Sequence, residues 1–142
     1  MTLNEQLIAI EAIKKLKARY FRCMDMQDWA GLAETMTDDI DFEHPSIGRH
    51  LSSTAVMAGL KKRLEPLALT LHHGSMPEIT VHSPSTASGI WSLHSCVMRA
   101  GSVGGEGMRL QHGYGRYFDT YDCTAGEWRL KTLRLEHLYK ES

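Results

Sequence analysis

The sequence predicts an α+β fold, with three N-terminal helices packed on one face of a bent, mostly antiparallel mixed sheet. Two observations carry this. Up to Glu65 the apolar residues recur at three- and four-residue steps, the spacing of helices buried on one side. After Pro66 the period drops to two, in segments rich in β-branched and aromatic residues. Helices followed by consecutive strands form separate layers rather than alternating crossover units. At 142 residues the chain is expected to form one domain over 1–142, long enough to bury a core.

The first helix starts at Thr2-Leu3-Asn4-Glu5, a capping box in which the Thr and Glu side chains satisfy early backbone N–H groups. Leu3, Leu7, Ile10, Ile13, Leu16 and Tyr20 then make one apolar stripe. Asp28 is placed to cap a second, shorter helix that turns Trp29, Leu32, Ala33 and Met36 inward. "DIDFEH" alternates as a strand, with Ile40, Phe42 and His44 on one face, and Pro45 and Gly48 end it. A third helix over roughly 53–65 buries Val56, Leu60 and Leu64. "ALTLHHG", "EITVH", "ASGIWSLHSCVMR", "LQHGYGRYFDTYD" and "EWRLKTLRLEHLY" read as strands. Ser83-Pro84-Ser85 and Thr124-Ala125-Gly126 supply turns, and glycine-rich 101–107 reads as a hairpin connection.

Composition narrows the function. A net charge of -1, without a Lys/Arg cluster interleaved with aromatics, argues against nucleic acid as a partner. No apolar run reaches the roughly 20 residues of a membrane-spanning helix, and the charged N-terminal segment does not read as a signal peptide. Cys23, Cys96 and Cys123 are odd in number and widely spaced, so a reduced, cytoplasmic protein is expected. The eight histidines include no HExxH and no two-His-one-carboxylate spacing, so no metal is implied. No glycine-rich dinucleotide turn is present, and no organic cofactor is implied either.

The helix-and-sheet layout leaves an apolar cavity suited to a small hydrophobic molecule. Asp25 stands where the apolar stripe stops, between Cys23-Met24 and Met26. A carboxylate turned inward there needs a partner, and an imidazole suits: the carboxylate fixes the tautomer and stabilises the imidazolium once it forms. Any of the eight histidines could serve on spacing alone. In "TLHHGSM", neighbouring side chains of a strand diverge, so only one of His72 and His73 can face a cavity. His94, His112 and His44 are open between cavity and surface, and Tyr117 is chosen for a cavity hydroxyl.

"IKKLKARYFRCMDMQDWAGLAETMTDDIDFEH", the "TLHHG" strand and the closing "GRYFDTYDCTAGEWRLKTLRLEHLY" together resemble the SnoaL-like branch of the NTF2-like superfamily over nearly the whole chain. The chain is most similar to the group of scytalone dehydratase, bile acid 7α-dehydratase and hexachlorocyclohexane dehydrochlorinase. The resemblance implies a cone-shaped barrel whose cavity holds an Asp–His dyad, with Asp25 and His72 in those places and Tyr20 as a hydroxyl donor. It implies proton abstraction beside a carbonyl and elimination of water or a similar group, without a cofactor. A cyclase, a ketosteroid-type isomerase and a non-catalytic binding module stand as alternatives. Substrate contacts are expected from Tyr117, His94 and Arg134, the last matching a late cavity arginine of the group. Tyr20 and Asp25 lie about 140° apart on a continuous helix, so both reach one cavity only if the helix ends at Asp25. A homo-oligomer is expected because Trp91, Leu93, Tyr114 and Phe118 make the exposed sheet face unusually apolar, and the resemblance implies a trimer over a dimer.

Overall fold

The computed structural model describes residues 1–67, 69–100 and 108–141. The expected 101–107 connection lies outside the described residues. The elements are α1 (Leu3–Asp25), α2 (Trp29–Glu34), β1 (Met36–His44), β2 (Gly48–His50), α3 (Ser53–Leu64), β3 (Leu69–Ser83), β4 (Thr86–Ala100), β5 (Met108–Thr124) and β6 (Glu127–Lys140). One six-stranded sheet runs β2-β1-β6-β5-β4-β3. Its neighbours are antiparallel except β1 and β6, which pair in parallel. The sheet does not close, ending on β2 and β3. The α+β layout expected from the change of period is therefore the fold.

Helix α1 begins with the expected capping box, Thr2 Oγ1 accepting from Glu5 N–H and Glu5 Oε2 from Thr2 N–H. Its apolar stripe is buried from Ala9 and Ile13 onward, whereas Leu3 and Leu7 are 70% and 53% exposed because no other element covers the first two turns. It ends at Asp25. Gln27 takes a left-handed φ of 55°, while the N–H groups of Gln27 and Asp28 return to the carbonyls of Met24 and Cys23. That is a Schellman close without the usual glycine.

Asp28 Oδ1 then accepts from Gly31 N–H and caps α2. Met36, expected on that helix, begins β1 instead. The short β2, unmarked in the sequence, folds back on β1 after Gly48, whose φ is 81°. The two segments expected as separate strands at "ALTLHHG" and "EITVH" are one strand, β3. A bulge between Ser75 and Glu78 interrupts its pairing, with Met76 at a φ of 49°. Such bulges increase local twist and bend long strands toward the helices.

The core lies between α1, α3 and the concave face of the sheet, where Ile13, Leu16, Ile40, Phe42, Val56, Leu130 and Leu133 are buried. Trp91 and Leu93 belong to it too, at 6% and 4% exposure. This corrects their assignment to an exposed face, and with it half of the apolar set that motivated an oligomer. Lys17 is fully buried on the inner side of α1. Its Nζ lies 2.9 Å from Asp119 Oδ2 and 3.7 Å from the centre of the Tyr117 ring. Asp119 Oδ2 also accepts from Tyr121, whose oxygen accepts from Trp91 Nε1. Burial lowers the Lys17 pKa and raises that of Asp119, each charge opposing the shift of the other.

Candidate active site

Asp25, the last residue of α1, points its carboxylate at β3. There Thr70 and His72, two residues apart, project to one side. Asp25 Oδ1 lies 2.6 Å from His72 Nδ1 and accepts from Thr70 Oγ1 at 3.0 Å, while Oδ2 accepts from His72 N–H at 3.0 Å. An ionised carboxylate only accepts, so Nδ1 is the donor and the lone pair stays on Nε2. His73 projects to the other side, opposite His94 in the ladder and near its ring. The adjacent histidines therefore diverge, and His72 is the one beside the carboxylate.

Phe21 holds the imidazole from behind, nearly parallel to it at 9° with centres 6.2 Å apart. Gly74 makes this contact possible: a Cβ there would stand 2.4 Å from the Phe21 ring. His72 opens on a cavity of about 60 Å³, walled by Met24, Leu60, Leu64, Leu93, Tyr117 and Leu135. Tyr117 is thus a cavity residue, as expected. Burial, and after it the Asp119 charge, raise its pKa, so it keeps its proton and can donate. Tyr20 does not line the cavity. It lies behind Tyr117, ring centres 6.2 Å apart, with its pKa raised chiefly by burial.

Two expected substrate contacts are corrected. His94 lies on the convex face, 2.9 Å from His112 and stacked on Tyr114. Arg134 lies on that face too, ion-paired with Glu136 and over the Phe118 ring. Strand alternation sorted residues into two faces correctly, but not which face the helices cover. A larger, open trough of about 600 Å³ crosses the convex face past Phe118, Thr132 and Arg134. It holds no histidine, and its one buried carboxylate, Asp119, is taken by Lys17, so the smaller cavity with the paired carboxylate and imidazole is the better candidate.

Sequence reasoning missed Thr70, although its alternation with His72 placed it, and left His44 open. His44 lines the cavity with His137, on the face of Ile40 and Phe42. Its Nδ1 accepts from Ser46 N–H, which leaves Nε2–H as a donor. Burial first, then the positive charges of His137, His72, Arg63 and Lys140, lower its pKa to about 3. In the unfolded chain the imidazole regains an ordinary value near 6.5, so below that pH the unfolded state takes a proton that the folded state refuses. Stability from His44 is therefore complete above about pH 6.5 and lost as pH falls toward 3, with a slope of at most about 1.4 kcal/mol per unit. Denaturant titrations from about pH 7 to about pH 4 should show a flatter decline for His44→Gln than for the parent; superimposable profiles would refute this.

The family model of the SnoaL-like domain matches residues 5–134. Among solved structures, a protein from Novosphingobium aromaticivorans assigned as a scytalone dehydratase superposes with a TM-score of 0.89 at 20% identity, covering 99% of this chain and 91% of that one. A type 2 hexachlorocyclohexane dehydrochlorinase superposes at 0.86 with 18% identity, covering 99% and 92%. At these identities the likeness concerns the fold. Because the family model spans nearly the full length, the chain belongs to the SnoaL-like domain family.

Proposed function

We propose that this protein is a cofactor-independent lyase acting on a small, mainly apolar substrate activated by a carbonyl. The observation that carries the reading is the 2.6 Å contact between Asp25 and His72, with His72 opening on a cavity walled largely by apolar side chains. His72 Nε2 takes a proton from the carbon beside the carbonyl. The electron pair of that C–H bond forms a double bond as the β-substituent leaves. For a hydroxyl, the imidazolium returns the proton and water departs. Asp25 holds the ring and stabilises the imidazolium, and Tyr117 donates to the developing oxyanion. Tyr20 supports the Tyr117 ring from behind. Likeness to proteins assigned as a dehydratase and a dehydrochlorinase supports elimination over other chemistry begun by the same proton transfer.

A second reading, a ligand-binding module with a closed cavity, is favoured by volume alone. About 60 Å³ equals the bulk share of roughly two waters, so a substrate must displace cavity walls such as Met24. Incubation with hydroxylated steroid, bile-acid and aromatic polyketide compounds, followed by mass spectrometry, separates the readings. We expect a product lighter by one water. Unchanged mass with a new retention time would indicate a cyclase or isomerase, and no turnover across the panel would favour the module.

A further inference from the structure

We infer that the substrate carries an anionic group, a carboxylate or a phosphate, held at the cavity mouth by Arg63 and Lys140. The inference rests on the His72 cavity being the substrate site and adds the chemical class of what enters it.

Arg63, in the last turn of α3, and Lys140, at the end of β6, both line the cavity. Arg99 joins them. It continues the β4 alternation whose Leu93, Ser95 and Val97 line the same cavity, and it bears on both cations. Among the described residues none of the three makes a salt bridge, a state they share with most of the 16 Lys and Arg, and what sets Arg63 and Lys140 apart is that they line the cavity. Carboxylates are not scarce, since the chain has 17 acids against 16 Lys and Arg. Cations in the last turn of a helix also complement its dipole, and Lys61 and Lys62 suffice for that from the surface. Arg63 is instead half-buried, turned to the cavity.

Ser95, which also lines the cavity, aligns with Gly113 and Lys140 across three strands. Gly113 is buried, and a Cβ there would stand 2.9 Å from Ser95 Oγ, so the glycine leaves room for that hydroxyl. The two cations share the lining with the Ser95 hydroxyl and the Nε2–H of His44, a set of donors suited to an oxyanion. An anion next to the reacting carbon would oppose loss of its proton. The anionic group therefore belongs at the end of the substrate remote from the activating carbonyl.

Binding tests this without turnover, so its outcome is independent of whether His72 performs an elimination. Benzoate, phenyl phosphate and neutral benzamide are titrated into the ¹⁵N-labelled protein and followed by NMR at the His44 and His72 signals. We expect one of the anions to bind at least about tenfold tighter than benzamide, with the gap narrowing as salt rises. The tighter of the two anions identifies the oxyanion. Arg63→Gln with Lys140→Gln should abolish the preference, and Lys61→Gln with Lys62→Gln should keep it. Equal binding of benzamide, or absence of anion binding up to about 10 mM, overturns the inference. So does a preference that survives in a double variant with a native spectrum. A misfolded double variant passes the decision to Arg63→Lys, which keeps the charge and should keep the preference.

Discussion

His72→Ala and Asp25→Asn should each lower kcat on a turned-over substrate by on the order of 10² or more, and the double variant should lose little beyond the worse single one. Without His72 no imidazole remains bonded to Asp25 among the described residues. Asn cannot stabilise an imidazolium, and its amide can present a donor to Nδ1, which would favour the other tautomer and bury the lone pair. The two residues act as one unit, so their losses do not add. Single-turnover kinetics on the four proteins provide the cycle. Multiplicative losses, or a His72→Ala rate within a few-fold of the parent, would exclude His72 as the base.

Lys17→Met should lower stability by about 3–5 kcal/mol, because it leaves the Asp119 carboxylate buried and unpaired. For a chain of this size that corresponds to a Tm drop of roughly 10–17 °C. The compensating double variant, Lys17→Met with Asp119→Leu, should recover most of the loss, since a well-packed apolar pair commonly equals a buried ion pair. Tyr121 then loses its acceptor, so recovery is incomplete. Equilibrium urea unfolding of the three variants decides. A Lys17→Met protein within about 1 kcal/mol of the parent would show that the pair does not carry that energy in solution.

The parts legible in the sequence were those in which one residue's chemistry forces a local geometry. The capping box could only start a helix, and the diverging side chains of His72 and His73 could only put one imidazole in the cavity. The resemblance then chose His72. The illegible parts needed knowledge of what lies across a layer. Arg134 and His94 alternate as regularly as Leu133 and Leu93, and nothing local says which set meets α1. Lys17 interrupts no apolar period, since Leu16 and Tyr20 define the stripe without it. Its burial depends on Asp119, about a hundred positions away and itself unremarkable in sequence. Arg63 reads as an ordinary end-of-helix cation until the cavity beside it is known. The break between Ser75 and Glu78 reads as the end of a strand, because a bulge and a turn use the same local residues.

The place of β6 has a consequence for how the molecule can assemble. This last element in chain order lies inside the sheet, parallel to β1 and antiparallel to β5. Until it arrives, β1 with β2 and β3 through β5 are two separate sheets with no ladder between them. A chain emerging from the ribosome can therefore form hairpins and helices in sequence, but not join them. The joining contacts span most of the chain, as between Lys131 and Asp39. Contacts of such separation carry a large loop-closure cost and form slowly. Meanwhile β1 and β5 each present an unpaired edge to any neighbouring chain. The same closing strand carries His137 and Lys140 to the cavity, so the cavity is completed in the step that removes those edges.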